Sequence, residues 1–219
     1  MVDGAKPRRY DSPRRRSQAA ATRQVILDAA LRLFAQSGYS KTSIAAIAAE
    51  AGVAVKTVYL AFESKRGLLL GLWHLLLRGD EEPVPVGERP WFREVVEEPD
   101  PERILRLNAR NSRMVKERAG TLLEILRNAA PADAELHRLW QRIETEFLEN
   151  QRAVVEQLRK KGALRHGLDV DRGADVLWAL NHPSVYHLLV GERGWTPQQY
   201  EEWLGDASCA QLLGSQGLS

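Results

Sequence analysis

The chain has 219 residues, 44% of them hydrophobic and 27% charged, with a formal net charge of +2, which is apolar content for one good core or two small ones. A single cysteine, Cys209, excludes an intrachain disulfide; no apolar run approaches the length of a bilayer span, and the Arg-rich N-terminus lacks an apolar signal core, so a cytoplasmic protein with no membrane partner is expected. The charge is divided unevenly: residues 1–66 hold 12 Lys/Arg against 5 Asp/Glu, net +7, and residues 67–219 hold 19 against 24, net −5, the footprint of a DNA-binding end joined to something else.

Residues 1–20 carry Lys6, Arg8, Arg9, Arg14, Arg15 and Arg16 with Pro7 and Pro13 and almost nothing apolar, and are expected to be a disordered basic arm. Whether such an arm follows phosphates or is only a solvated tail stays open. Over residues 22–37, Ile26, Ala29, Ala30, Leu33 and Phe34 recur at helical spacing, and Gly38 ends the helix. Residues 42–62 then read helix, turn, helix. Ile44, Ile47, Ala48 and Ala51 share one face of a short helix capped by Ser43 or Thr42; Gly52 breaks it, and Val55, Val58, Tyr59 and Phe62 begin a second face. Val53, Val58 and Phe62 are expected in the core. Lys41, Thr42 and Ser43 at the first helix start, and Val55, Lys56 and Thr57 at the second, put cations and hydroxyls at positive helix ends, which suit phosphate oxygens and base edges.

Ala51-Gly52-Val53, Thr57-Val58-Tyr59, Phe62, Ser64-Lys65 and Leu68-Leu69 resemble the DNA-binding signature of the tetracycline-repressor (TetR) family of bacterial one-component regulators. The likeness covers about residues 25–77. It implies that Thr57, Tyr59 and Lys65 contact DNA, mostly at the backbone. Two positions depart from the pattern: Ala54 stands where Ser or Thr commonly caps the second helix, and Leu60 follows the tyrosine where an aromatic or His is common. Both departures bear on base reading and leave the fold untouched.

After Ser64, a plausible cap, Leu68, Leu69, Leu72, Trp73, Leu76 and Leu77 make a helix apolar on more than one side, expected to reach a second core. Residues 79–87 form a turn-rich connector. Helices are expected over residues 91–96, 102–116, 121–128 and 134–161, the last ended by Gly162. Asp169 or Asp171 caps the next; the D-x-D spacing lacks the remaining ligands of a calcium loop. Pro183 must bend or restart that helix, and Thr196-Pro197-Gln198-Gln199 has the pattern of a capping box.

No nucleophile motif, phosphate-binding loop or paired-Cys metal spacing occurs, so neither an enzyme nor a cofactor or metal is expected. The expectation is an all-α protein: a three-helix helix-turn-helix domain over residues 21–66, a helical effector-binding and dimerisation domain over 67–213, and a flexible tail at 214–219. One reading head sees half a site. Pairing the closing helices into an isologous homodimer sets two heads about 34 Å apart, one turn of double-stranded DNA, to read a near-palindromic operator; the resemblance implies the same pairing. The resemblance also implies a small effector, expected to be apolar, with Trp73, His74, Leu107, Asn111, Met114, Leu123, Trp140, Phe147 and Trp178 as candidate cavity residues, each of them also ordinary core by its pattern. His74 reads equally as a satisfied partial-core residue. A helical binding module whose hairpin never meets DNA is the competing class.

Overall fold

A computed structural model describes residues 13–78 and 86–214, and among these every regular element is helical. The chain divides into two compact units between Gly71 and Leu72, five residues beyond the boundary expected from sequence.

In the first unit α1 spans Pro13–Ser37, α2 Ile44–Glu50 and α3 Val55–Phe62, and α4, Lys65–Arg78, begins. The first helix starts well before residue 22, so the second half of the expected disordered arm, residues 13–20, is helical. Proline at a helix start forgoes a hydrogen bond that is unsatisfied there anyway, and Gln18-Ala19-Ala20-Ala21 is strong helix-forming sequence. Residues 1–12 lie outside the described residues. The small core is Ile26, Ala29, Ala30 and Phe34 from α1, Ile47 and Ala48 from α2, Val58 and Phe62 from α3, and Leu68 and Leu69 from α4. The direction of the chain bends by 108° between α2 and α3, at Gly52 with its φ of 66°. Ser64 caps α4 by accepting from the Gly67 amide.

In the second unit α5 spans Pro90–Glu97, α6 Pro101–Ala129, α7 Ala134–Lys160, α8 Val170–Leu180 and α10 Pro197–Leu212; between the last two, α9 (Pro183–Tyr186) runs on into a π-helical segment, His187–Glu192. The two helices expected over residues 102–116 and 121–128 are one. Gly120 costs about 1 kcal/mol of propensity, while Ala119, Leu122 and Leu123 bury on either side of it and carry the helix through. Helix starts follow local signals: Asp100, Asp133 and Asp169 accept from free amides of α6, α7 and α8, and Thr196 forms a capping box with Gln199. Asp169, rather than Asp171, is therefore the α8 cap. Phe92, Val95, Ile104, Leu105, Val154, Val155, Leu158, Leu177 and Leu212 form one core, and Ala109, Tyr200 and Leu204 a second where α6 meets α10. The tail beyond residue 214 lies outside the described residues.

Candidate functional site

Two places bring functional side chains together. The first is the outer face of α2 and α3. Helix α3 opens at Ala54 with no side-chain cap; the Thr57 amide donates to the Ala54 carbonyl at 2.8 Å, which leaves the Val55 and Lys56 amides at the helix front without an intrahelical acceptor. Along it Val58 and Phe62 turn inward, Thr57 is partly covered, Lys56 is exposed, and Val55 and Tyr59 are 41% and 50% exposed. Lys41 and Ser43 are exposed as well, and Ser43, not Thr42, is the α2 cap, accepting from the Ala46 amide.

Two residues of the expected DNA-contacting set are engaged inside the head. Thr42 is buried, and its hydroxyl lies within bonding distance of the Leu33 and Gly38 carbonyls, 3.2 and 2.9 Å away. It braces the end of α1 and does not face outward toward a phosphate, because a small hydroxyl beside a helix end finds carbonyls that need donors. Lys65 donates to the carbonyls of Tyr39 and Thr42 at 2.8 and 3.0 Å, with Ser40 further off at 3.4 Å, and its ammonium lies 4.4 Å from the centre of the Tyr39 ring. Burial pushes the Lys65 ammonium below the usual lysine range. Leu60, absent from the expected set, is the most exposed of the large apolar side chains at 77%. Its signal was the departure from an aromatic at that position.

The second place is a cavity of about 110 Å³ inside the helical body. Its walls are aromatic, from Trp73, Trp91, Phe92 and Phe147, and aliphatic, from Val86, Val115, Leu123 and Ile143. Into this lining projects a polar ladder from one face of α6, Asn108, Asn111, Ser112 and Lys116, met by Gln151 of α7 and Asn181 at the end of α8. All six are buried. Lys116 donates to Ser112 Oγ and to Asn181 Oδ1, the latter at 2.6 Å, and Ser112 donates to the same Asn181 oxygen. Asn181 and Asn108 each donate to Gln151 Oε1, at 3.3 and 3.2 Å, and Asn111 donates to the Trp91 carbonyl at 2.8 Å. No carboxylate of the described residues pairs with Lys116, whose remaining neighbours are the Tyr200 and Phe147 rings, 5.4 and 6.0 Å from Nζ. Burial holds this ammonium well below the usual lysine range. Glu144 also lines the cavity and faces His182 at 3.5 Å.

Of the cavity candidates chosen from sequence, Trp73, Asn111, Leu123 and Phe147 line it. Leu107 packs against the larger core, Met114 faces outward at 41% exposure, and Trp178 stacks edge-on against His182 with 4.9 Å between ring centres. Trp140 stands one helical turn before the lining residue Glu144 and does not line the cavity. These four satisfy the apolar periodicity of their helices without being on the arc that meets the void. The side chain of His74 lies outside the described residues. Apart from Asn111, what sequence reasoning missed is the polar ladder, although its signal was present: Asn108, Ser112 and Lys116 recur every four residues, a polar stripe within the buried face of an otherwise amphipathic helix. Among the described residues no cluster of His, Cys, Asp or Glu fits a metal ion, and no single helix is long and apolar enough to cross a membrane.

A helix-turn-helix head on an all-helical body enclosing a mostly apolar cavity defines the class of protein. Residues 26–72, the helix-turn-helix head, match the family model described as bacterial regulatory proteins, tetR family. It is 35% identical over 114 residues, 51% of its length, to the HTH-type transcriptional regulator AcrR of Shigella flexneri, and 42% identical over 48 residues, 22% of its length, to the fatty acid metabolism regulator protein of Bacillus subtilis (strain 168). These matches span 50% and 25% of the two relatives. Among solved structures, SmeT, the repressor of the Stenotrophomonas maltophilia multidrug efflux pump SmeDEF, superposes with a TM-score of 0.65 at 22% identity, covering 90% of this chain and 93% of that one. NalD, the secondary repressor of the MexAB-OprM pump in Pseudomonas aeruginosa, superposes with a TM-score of 0.64 at 23% identity over 90% and 98%. At those identities the likeness speaks for the fold.

Proposed function

We propose that the protein is a DNA-binding transcriptional regulator, a repressor that grips a near-palindromic operator as a homodimer and lets go when a small, largely apolar effector occupies the cavity. The observation that carries the reading is the outward face of α3, where Val55, Lys56 and Tyr59 stand exposed on a basic head of tetR type. An ammonium, a phenol and the Val55 and Lys56 amides at one helix front are the donors a phosphodiester backbone takes. Lys41, Ser43 and Thr57 stand at the two helix starts, within the same donor-bearing part of the head. Thr42 and Lys65 are assigned a positioning role, since their donors already hold the 38–42 turn. Support for a response to effector comes from α4, whose first half belongs to the head and whose second half supplies Trp73 to the cavity.

Selection of bound duplexes from a random library tests the DNA reading. Inverted repeats with half-site centres about one helical turn apart are expected, bound by a species of two chains in sedimentation. Tyr59→Ala should weaken retention of the selected duplex by about tenfold, a loss of about 1.4 kcal/mol, and Lys56→Ala should flatten the dependence on salt. Equal, sequence-blind retention by wild type and by the double variant would instead favour a helical binding module that does not read DNA.

A further inference from the structure

The cavity has a chemical asymmetry that an apolar effector alone leaves unexplained. Four aromatic side chains line it, and among them lies a buried lysine with no anionic partner among the described residues, 6.0 Å from the centre of the Phe147 ring. We propose that the cavity takes a small aromatic monocarboxylate, its ring between Trp73, Trp91, Phe92 and Phe147 and its carboxylate on Lys116.

An ammonium has three protons to donate. Two go to Ser112 Oγ and Asn181 Oδ1, neutral acceptors that leave the charge uncompensated and one donor unspent. Asn108 and Asn111 each use one amide proton, on Gln151 Oε1 and the Trp91 carbonyl, and each amide carries a second. The polar lining therefore offers one positive charge and several neutral donors, which matches one carboxylate and its four lone pairs. It does not match a phosphate dianion or a dicarboxylate. Lys116 is the sole Lys or Arg among the lining residues, so a second negative charge would have no cation to meet it. An ammonium ligand meets the opposite difficulty, for it would set a second cation in the space that Lys116 already occupies, while Glu144 is faced by His182. Size selects the body. An apolar cavity of about 150 Å³ accepts benzene, so one of about 110 Å³ suits a single ring with slight expansion, or a short chain, and not a long acyl tail.

The identification rests on the effector-binding reading above, and the test keeps the two apart. Titrations followed by tryptophan fluorescence, with Trp73 and Trp91 as reporters, compare benzoate with benzamide, benzylamine and decanoate on wild type and on Lys116→Met. Benzoate should bind wild type at least about tenfold more tightly than any of the other three, a preference of about 1.4 kcal/mol, and Lys116→Met should erase that preference while still binding benzamide. Equal affinity for benzoate and benzamide, or a preference for benzylamine or decanoate, overturns the proposal, as does an undiminished benzoate preference in Lys116→Met. Circular dichroism of the variant checks that it folds; if it does not, Lys116→Gln serves, with loss of the preference again expected and its retention again fatal. Release of the selected duplex by benzoate is scored separately. Lys116-dependent binding without release sinks the regulatory reading and leaves the ligand assignment standing.

Discussion

Replacing Gly67 by alanine is expected to destabilise the head by about 2–3 kcal/mol and to cost most of the specific DNA retention. On helix propensity the substitution should help, since alanine is favoured over glycine by about 1 kcal/mol inside a helix. Sterics decide otherwise. A Cβ on Gly67 would lie 1.9 Å from the carbonyl oxygen of Phe62, a backbone atom at the close of α3 that cannot swing aside as a side chain does. The corner there is already tight: the Ser64 amide donates to that same oxygen at 2.6 Å, and Glu63 holds a positive φ of 62°. Overpacking typically costs about 1–3 kcal/mol and occasionally more; an overlap with backbone, which cannot move aside, stands at or above the top of that range, so a net loss of about 2–3 kcal/mol remains after the propensity gain of about 1 kcal/mol. Gly120 is the control. It lies within α6 with nothing within 4 Å of a built Cβ, so Gly120→Ala should stabilise by about 0.5–1 kcal/mol. Urea denaturation followed by circular dichroism measures both; equal shifts of the two midpoints would remove the steric argument.

That pair marks how far the sequence could be read. Gly38 and Gly52 announce themselves because each ends a periodic apolar stretch, and both take positive φ where the helices stop. Gly67 lies inside a stretch of sound helical spacing, and nothing local shows that a carbonyl from the preceding helix rests on its α-carbon. Gly120 misled in the other direction, suggesting a break in α6 that burial of Ala119, Leu122 and Leu123 overrides. The caps at Ser64 and Thr196 were legible, and those of α2 and α8 were narrowed to Ser43 or Thr42 and to Asp169 or Asp171, because capping is settled within four residues.

The sites were legible to different depths for the same reason. Exposure of Val55, Lys56 and Tyr59 follows from burial of Val58 and Phe62 on a helix of eight residues, which periodicity gives directly. The inward turn of Thr42 depends on where the end of α1 leaves its carbonyls, a contact spanning nine residues to Leu33. The cavity is harder still, because a void is a property of several helices at once. Apolar spacing found Trp73, Leu123 and Phe147 but could not separate them from Trp140 or Trp178, which have the same chemistry on a different arc. Chemistry that breaks the pattern is the better guide, and it went unused: Asn108, Ser112 and Lys116 interrupt a buried face at regular intervals, and those residues carry the polar lining of the cavity.

The same lysine makes the second large prediction, one of stability. An isolated ammonium inside the protein carries a desolvation penalty that neutral acceptors only partly offset. Lys116→Met keeps the length of the side chain, removes the charge and leaves the Ser112 to Asn181 hydrogen bond in place, so it should raise stability at neutral pH by about 1–4 kcal/mol, the range seen when buried ionic groups give way to well-packed apolar ones. The pH dependence fixes the cause. The folded pKa of Lys116 lies well below its unfolded value near 10.4, so between the two the unfolded chain binds a proton that the folded chain does not, and wild-type stability rises with pH across that interval. Burial pushes the facing Tyr200 phenol upward, which acts oppositely, lowering stability as pH climbs beyond about 10. Glu144 and His182, the other titratable pair at the cavity, are common to both proteins and cancel in the comparison. The advantage of Lys116→Met should therefore be largest near neutrality and shrink toward pH 10, as the wild-type amine becomes neutral in both states. An advantage that does not change with pH would mean that the gain comes from packing rather than from removing a buried charge. A lysine kept at such a cost would be explained by the monocarboxylate proposed for this cavity, whose charge would compensate the ammonium that Ser112 and Asn181 leave unpaired.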